Sequence, residues 1–318
     1  MEVGRSQFLV SVILPTFRPR EDVFSRVINS LKEQTLSRCS WEILLVENGE
    51  RSIDSPQTLI EWHPQAKYIF QGRAGLTPAR ITGFCKTTAP VICMVDDDTE
   101  LPSDYLEAGL SILDSFPKIG AWGGRLKPEF ESEVSDRARA IWSDELNEDC
   151  WSSFINRSAA PVGGGMFLQR SVAESYKRQV ENDPVRKALD RTGSGLSSAG
   201  DIDLAFCACD VSLGIGRFKS LELKHYISLD RCTDEYLDRL VEGFGYSETM
   251  LQFARDQKLP FSGSTIDRLV FRYKQLRSLG RRTRNQQCRE KGIRKALAEI
   301  RRLGNQKLVD VETLTSFQ

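Results

Sequence analysis

Pro90-Val91-Ile92-Cys93-Met94-Val95-Asp96-Asp97-Asp98-Thr99 opens as an apolar run and ends on three successive carboxylates. Val91 to Val95 has the length and composition of a buried strand, in which Cys93 serves as a small hydrophobe. If the chain stays extended through the acids, residues i and i+2 share a face. Asp96 and Asp98 then point into one site and Asp97 points away. Hard carboxylate oxygens so arranged suit Mg²⁺ or Mn²⁺, which bridges phosphate oxygens. An isolated acidic triplet is equally a solvated loop, so its surroundings decide its meaning.

Upstream, short apolar runs alternate with helical patterns. Val10-Ser11-Val12-Ile13-Leu14 is a strand ended by Pro15, and Val23, Phe24, Val27, Ile28 and Leu31 follow at helical spacing. Trp41 to Val46 is a second strand, closed by Asn48-Gly49, and Tyr68-Ile69-Phe70 is a weaker third. A helix from about Pro78 to Lys86 leads into the strand that carries the acids. This alternation predicts an α/β fold with a mostly parallel sheet covered by helices on both faces. Ligands of such sheets bind beyond the carboxyl ends of the strands, where Glu47, Asn48 and Asp96 to Asp98 fall.

Downstream the pattern loosens from about Leu101 to Asp201, with glycine stations at Gly123-Gly124 and Gly163-Gly164-Gly165. Such glycines permit tight turns or close approach of backbone to a ligand. Gly200-Asp201-Ile202-Asp203-Leu204 is a second acidic station, which a helix N-cap would also explain. Trp122 either packs in the core or stacks on a ligand. His63, in Glu61-Trp62-His63-Pro64, reads as a surface residue.

The order Ser11-Val12-Ile13-Leu14-Pro15-Thr16-Phe17, Leu45-Val46-Glu47-Asn48-Gly49, Gly75-Leu76-Thr77-Pro78-Ala79-Arg80, Met94-Val95-Asp96-Asp97-Asp98 resembles glycosyltransferase family 2. The resemblance implies a GT-A fold, Rossmann-like with a helical C-terminal extension. It also implies an inverting, metal-dependent glycosyltransferase of hexosyltransferase type, acting in polysaccharide or glycan assembly. By the same resemblance, Pro15, Thr16, Glu47, Arg80, Asp96 and Asp97 bind the nucleotide-sugar. Asp98, Asp96 and His225, the last in Lys224-His225-Tyr226, hold Mn²⁺ or Mg²⁺ as a DXD-type motif. Asp201 is the catalytic base that takes the acceptor hydroxyl proton. Three departures stand out: Glu47 replaces an aspartate, Ile81 replaces an asparagine, and Gly200 stands where the family has a glutamate before the base. With that acid missing, Asp203 is the alternative to Asp201.

The implied partners are a nucleoside-diphosphate sugar, UDP-sugar favoured, and a glycan or lipid-linked acceptor. Two other functions fit the residues less closely. A sugar nucleotidyltransferase would want a glycine-rich phosphate loop where Pro15-Thr16-Phe17-Arg18-Pro19 stands, and a non-catalytic scaffold would tolerate the missing acid.

The chain has 318 residues and is formally neutral, but between Phe271 and Arg302 twelve Lys/Arg face only two Glu. Expected domains are a catalytic unit over 1–232, with its nucleotide-sugar half about 1–100 and its acceptor half about 101–232, and a basic helical extension over 233–318. Two amphipathic patterns in the extension, Ile266 to Leu276 and Ile293 to Leu303, either dock on the catalytic domain or lie on an anionic membrane. Charge alone would admit nucleic acid, but no interleaved stacking aromatics support it. No run of about 18 apolar residues occurs and the eight cysteines form no CxxC pair, so the expected location is the cytoplasm, peripheral to the membrane's inner face at most.

Overall fold

The computed structural model describes residues 8–190, 195–256 and 283–315, with side chains as far as 303. By its contacts the chain divides into one unit over 1–193 and 200–233 and another over 194–199 and 234–318.

Among the described residues, the first unit is built on nine strands: β1 (Val10–Thr16), β2 (Trp41–Asn48), β3 (Ala66–Gln71), β4 (Val91–Met94), β5 (Thr99–Glu100), β6 (Ile119–Phe130), β7 (Cys150–Ser152), β8 (Phe167–Gln169) and β9 (Gly214–Ile227). Their order is β3-β2-β1-β4-β8-β6-β9-β5, with β7 also on β9. The β3-β2-β1-β4 half is wholly parallel, and β6 pairs β9 in parallel. β8 runs antiparallel between β4 and β6, which makes the sheet mixed.

The two faces of β1 show how helices cover both sides. Val10, Val12 and Leu14 share a core cluster with Phe24, Val27, Ile28 and Leu31 of α1 (Glu21–Lys32). Ile13 points the other way, directly under Gly83 of α2 (Leu76–Lys86), where a Cβ would lie 2.8 Å from the Ile13 Cδ1. The β1 ladder to β4 ends at Ile13–Met94, so Pro15, which cannot donate, stands where only β2 remains alongside.

Beyond β5 come α3 (Tyr105–Ser115), α4 (Asp136–Trp142), α5 (Arg170–Glu181), the single turn α6 (Pro184–Lys187) and α7 (Gly200–Asp210). Trp122 is fully buried, stacked on Phe167 with centroids 5.4 Å apart, and its indole N–H donates to the Gly109 carbonyl at 3.0 Å. It is core. A Cβ on Gly109 of α3 would overlap the Phe167 ring. Gly109→Ala is therefore expected to cost about 1–3 kcal/mol through overpacking, read as a lower midpoint in thermal or denaturant unfolding. An unchanged midpoint would mean the ring can move aside.

His63 corrects the surface reading. It is 2% exposed, packed 4.1 Å from the Trp41 ring, and its Nδ1 accepts from the Gln65 backbone N–H. Burial, helped by Arg38, lowers its pKa to about 4, so it stays neutral and apolar in effect.

In the second unit, α8 (Asp234–Asp256) packs along α9 (Arg284–Thr315). Gly245 and Gly292 sit where a Cβ would strike the backbone of the opposite helix, at Arg289 and Glu242, so both are needed for the close crossing. Ala296 and Ile300 are buried, while Arg284 pairs with Asp234 and Asp238 and Lys291 with Glu242. The Ile293 to Leu303 pattern thus has a partner in α8. The Ile266 to Leu276 pattern lies outside the described residues. Among those described, no helix is long and apolar enough to cross a membrane.

Candidate active site

Thr16, Glu47 and Asn48 arrive together because β1 and β2 run in parallel register, Thr16 opposite Glu47. Asn48 donates to the Thr16 carbonyl at 2.8 Å and accepts from Gly75 N–H at 3.1 Å, joining both strand ends to the start of α2. Gly75 has φ +128°, a left-handed conformation that favours glycine. Glu47 is buried and already committed. One oxygen accepts from the Ser52 and Ile53 backbone N–H groups, the other from the Tyr68 hydroxyl at 2.6 Å. Burial opposes its ionisation, but those hydrogen bonds outweigh it and hold the pKa below the ordinary glutamate value. The longer acid at this position shapes the loop after β2.

The acidic triplet departs from the extended geometry. β4 ends at Met94, and Asp97 and Asp98 lie in a turn before β5, so strict alternation does not order them. Each carboxylate instead has its own surroundings, and all three are half-buried. Asp97 accepts from the Thr16 hydroxyl at 2.6 Å and from Phe17 N–H at 3.3 Å. Burial and the neighbouring charge of Asp98 push its pKa up to about 7. Asp98 accepts from Arg231 at 2.8 Å and lies 3.3 Å from His225 Nε2. Burial alone would raise it, yet His225 and Arg231 hold it well below the carboxylate range. β9 delivers His225 because its far end pairs with β5, His225 opposite Thr99. Trp142 braces the group, edge-on to His225 at 5.7 Å and under the Arg231 guanidinium at 4.6 Å.

Arg80, expected in α2 at the diphosphate, is almost wholly buried at 2% exposure. Its Nη1 donates to both oxygens of Asp190, at 3.3 and 3.1 Å, and Asp96 and Asp201 also act on its charge. It lies within an acidic ring instead of on the surface of its helix. Asp201, at the start of α7, accepts from Gly163 N–H at 3.0 Å on one oxygen and from Ile202 N–H at 2.8 Å on the other. Burial raises the pKa of both Asp96 and Asp201, and Arg80 opposes the rise in each.

Gly163-Gly164-Gly165 threads between these groups. A Cβ on Gly163 would lie 2.7 Å from Arg80 Nη2 and 3.4 Å from the Asp201 Cβ, and one on Gly164 would lie 3.3 Å from an Asp96 oxygen. The triple glycine thus sets Asp201 and Asp96 on consecutive residues of one bare backbone segment. Asp203, the alternative base, is fully buried and paired with Arg186 at 3.3 Å, so it holds α6 to α7.

Sequence reasoning missed Asp190 and Arg231. Neither lies in a recognisable motif. A glycine at 200 beside an acidic helix start is the one signal that a side chain from elsewhere fills that space.

Among the described residues, no three His, Cys, Asp or Glu side chains converge closely enough to hold a metal unaided. The set nevertheless suits a divalent cation that draws its remaining ligands from phosphate and water. Asp96 and Asp98 are hard oxygen donors whose charges oppose one another, and a cation would relieve that repulsion.

The family model described as glycosyl transferase family 2 matches residues 11–177. Among solved structures, S. aureus TarS 1-349 in complex with UDP-GlcNAc aligns with TM-score 0.54 and 13% identity over 77% of this chain and 66% of that one. The complex of TarS 1-349 with UDP aligns at 0.51 and 14% over 93% and 91%. A longer TarS structure aligns at 0.50 and 14%, and there the chain covers 46% of its length. Identities this low establish a common fold. No curated protein matches the chain in sequence. With more than half of its length matched by the family model, the chain belongs to glycosyl transferase family 2.

Proposed function

We propose that the chain transfers a sugar from a nucleoside diphosphate, UDP by preference, to a hydroxyl of a glycan or lipid-linked acceptor, with inversion at the anomeric carbon. The observation that carries this reading is the pairing of Asp201 and Asp96 along Gly163-Gly164, with Arg80 acting on both. Inverting displacement needs a base on one face of the sugar and a cation that offsets the charge of the leaving diphosphate on the other; Asp201 would be the first, and Asp96 with Asp98 would hold the second. The choice of UDP is supported by the TarS complexes, which hold UDP-GlcNAc and UDP.

Asp201 is oriented by Gly163 N–H and Ile202 N–H, which leaves lone pairs to accept the acceptor O–H. Its burial raises its proton affinity, and the Arg80 charge works against that rise. Thr16 fixes Asp97, and Arg231 with His225 fixes Asp98. Mn²⁺ or Mg²⁺ would be held by Asp96 and Asp98, with His225 beside them, and when bound would offset charge on the leaving diphosphate.

Release of UDP from UDP-GlcNAc with added Mn²⁺ and candidate acceptors tests the reading. Chelation by EDTA is expected to lower release roughly 10-fold or more, and Mn²⁺ to restore it. Release that ignores EDTA would remove the metal from the mechanism, and absence of release with any donor and acceptor would overturn transfer itself. We extend the proposal to peripheral contact of exposed basic residues on α9, such as Arg294 and Arg301, with an anionic bilayer that carries the acceptor. Cosedimentation with vesicles that persists in Arg294→Glu/Arg301→Glu would count against it.

A further inference from the structure

We infer that Asp190 is a positioning residue for the reaction, holding Arg80 from the segment that follows α6 and filling the space beside Asp201 that a side chain at position 200 would otherwise take. The inference rests on the reading of Asp201 as the base.

The geometry is specific. A Cβ built on Gly200 would fall inside the Asp190 carboxylate, overlapping its carbon and both oxygens. The position immediately before Asp201 is therefore glycine because another residue's acid already fills the space. That acid is buried at 5% exposure and fixed from two sides. Thr77 donates its hydroxyl to Asp190 Oδ2 at 2.7 Å, and Arg80 Nη1 donates to both oxygens. Thr77 and Arg80 are three residues apart on α2 and so share one helical face, a two-point clamp from a single element. The same guanidinium places its Nη2 against Gly163, whose N–H orients Asp201. Asp190 thereby sets where the cation stands between Asp201 and Asp96. Without Asp190, Arg80 has two other acids to turn to, and both belong to the proposed chemistry.

Two measurements separate positioning from mere support of the fold. Asp190→Asn preserves shape and the acceptor for Thr77 but turns an amide toward Arg80. It is expected to lower kcat on the order of 10–100-fold, as small misplacements at a reacting centre do, with donor KM changed less than about 3-fold. Wild-type kcat with only a lower unfolding temperature would reduce Asp190 to a structural role and overturn the inference. The second measurement is independent of activity. Gly200→Asp alone is expected to lower the unfolding temperature because the site is occupied. In the Asp190→Ala background the same change is expected to raise it and to recover at least part of the lost kcat. A destabilisation by Gly200→Asp that is equal in both backgrounds would refute the shared space. Should the wild-type chain show no transfer, the proposed function fails, while the stability cycle still decides whether Asp190 occupies the place of a residue-200 acid.

Discussion

Asp201→Asn is expected to lower sugar transfer by roughly 10²–10⁴-fold while leaving the fold and donor binding in place, the range by which general-base catalysis contributes. Asparagine keeps one oxygen to accept from Gly163 N–H and gives up the one that accepts from Ile202 N–H, a single hydrogen bond at the start of α7. What it loses is the capacity to take a proton. Steady-state rates of UDP release with acceptor present, together with UDP binding at equilibrium, check both parts. A variant that transfers at the wild-type rate would show that another group is the base. The pH profile carries a signed expectation. Asp201 works only when ionised, and burial lifts its pKa above the ordinary aspartate value of about 3.9 against the pull of Arg80. Activity should therefore fall on the acid side at a pH above that of an exposed aspartate. The Asn variant should lack that acid limb.

The parallel half of the sheet was legible because each strand was a short apolar run followed at once by a turn signal, as in Val91 to Val95 before the acids. A buried strand must be apolar on both faces, and no other constraint blurs that pattern. β6 was not legible for the opposite reason. It carries Gly120, Gly123, Gly124 and Pro128, residues that ordinarily disfavour a strand. Gly124 is there because any side chain would enter the Leu221 backbone, across a register shift in the β6–β9 ladder. That is a demand of a strand nearly a hundred residues away, and one sequence does not display it.

The site divides along the same line. Asp96 to Asp98, Asp201 and His225 stand out in the sequence because they lie at or near the ends of regular elements in a familiar order. The triplet does not alternate, because Asp97 and Asp98 turn after Met94, so partner contacts and not the pleat decide their roles. Arg80 and Glu47 were located but their surroundings were not. Both side chains are buried, and their hydrogen bonds run to Asp190, Tyr68 and the loop at 52–53. Burial of a charged side chain is set by what packs over it. The Ala-Arg-Ile string gives no sign of that.

Arg80→Met is expected to destabilise the first unit by about 3–5 kcal/mol, the usual result when one partner of a buried ionic group is removed and the other is left. The methionine fills much of the same volume, so the loss reflects charge more than cavity. Asp190 would lose both hydrogen bonds from Nη1, and Asp96 and Asp201 would lose the cation that lowers their pKa values. Burial already raises Asp96 and Asp201 in the folded chain, and the substitution moves both further up. A carboxylate whose folded pKa exceeds its unfolded value binds more protons when folded, so stability is lost as pH rises from the unfolded value toward the folded one. The penalty of Arg80→Met should accordingly be smaller at pH 5 than at pH 8, measured as the difference in unfolding free energy from wild type at each pH. A penalty independent of pH would mean that Arg80 contributes through packing and not as counter-ion. Adding Asp190→Asn to Arg80→Met should then recover part of the loss, because the carboxylate left unpaired becomes a neutral amide that can still accept from Thr77. The two substitutions are each harmful alone and less than additive together, which is the behaviour of an ion pair whose two members exist to satisfy one another.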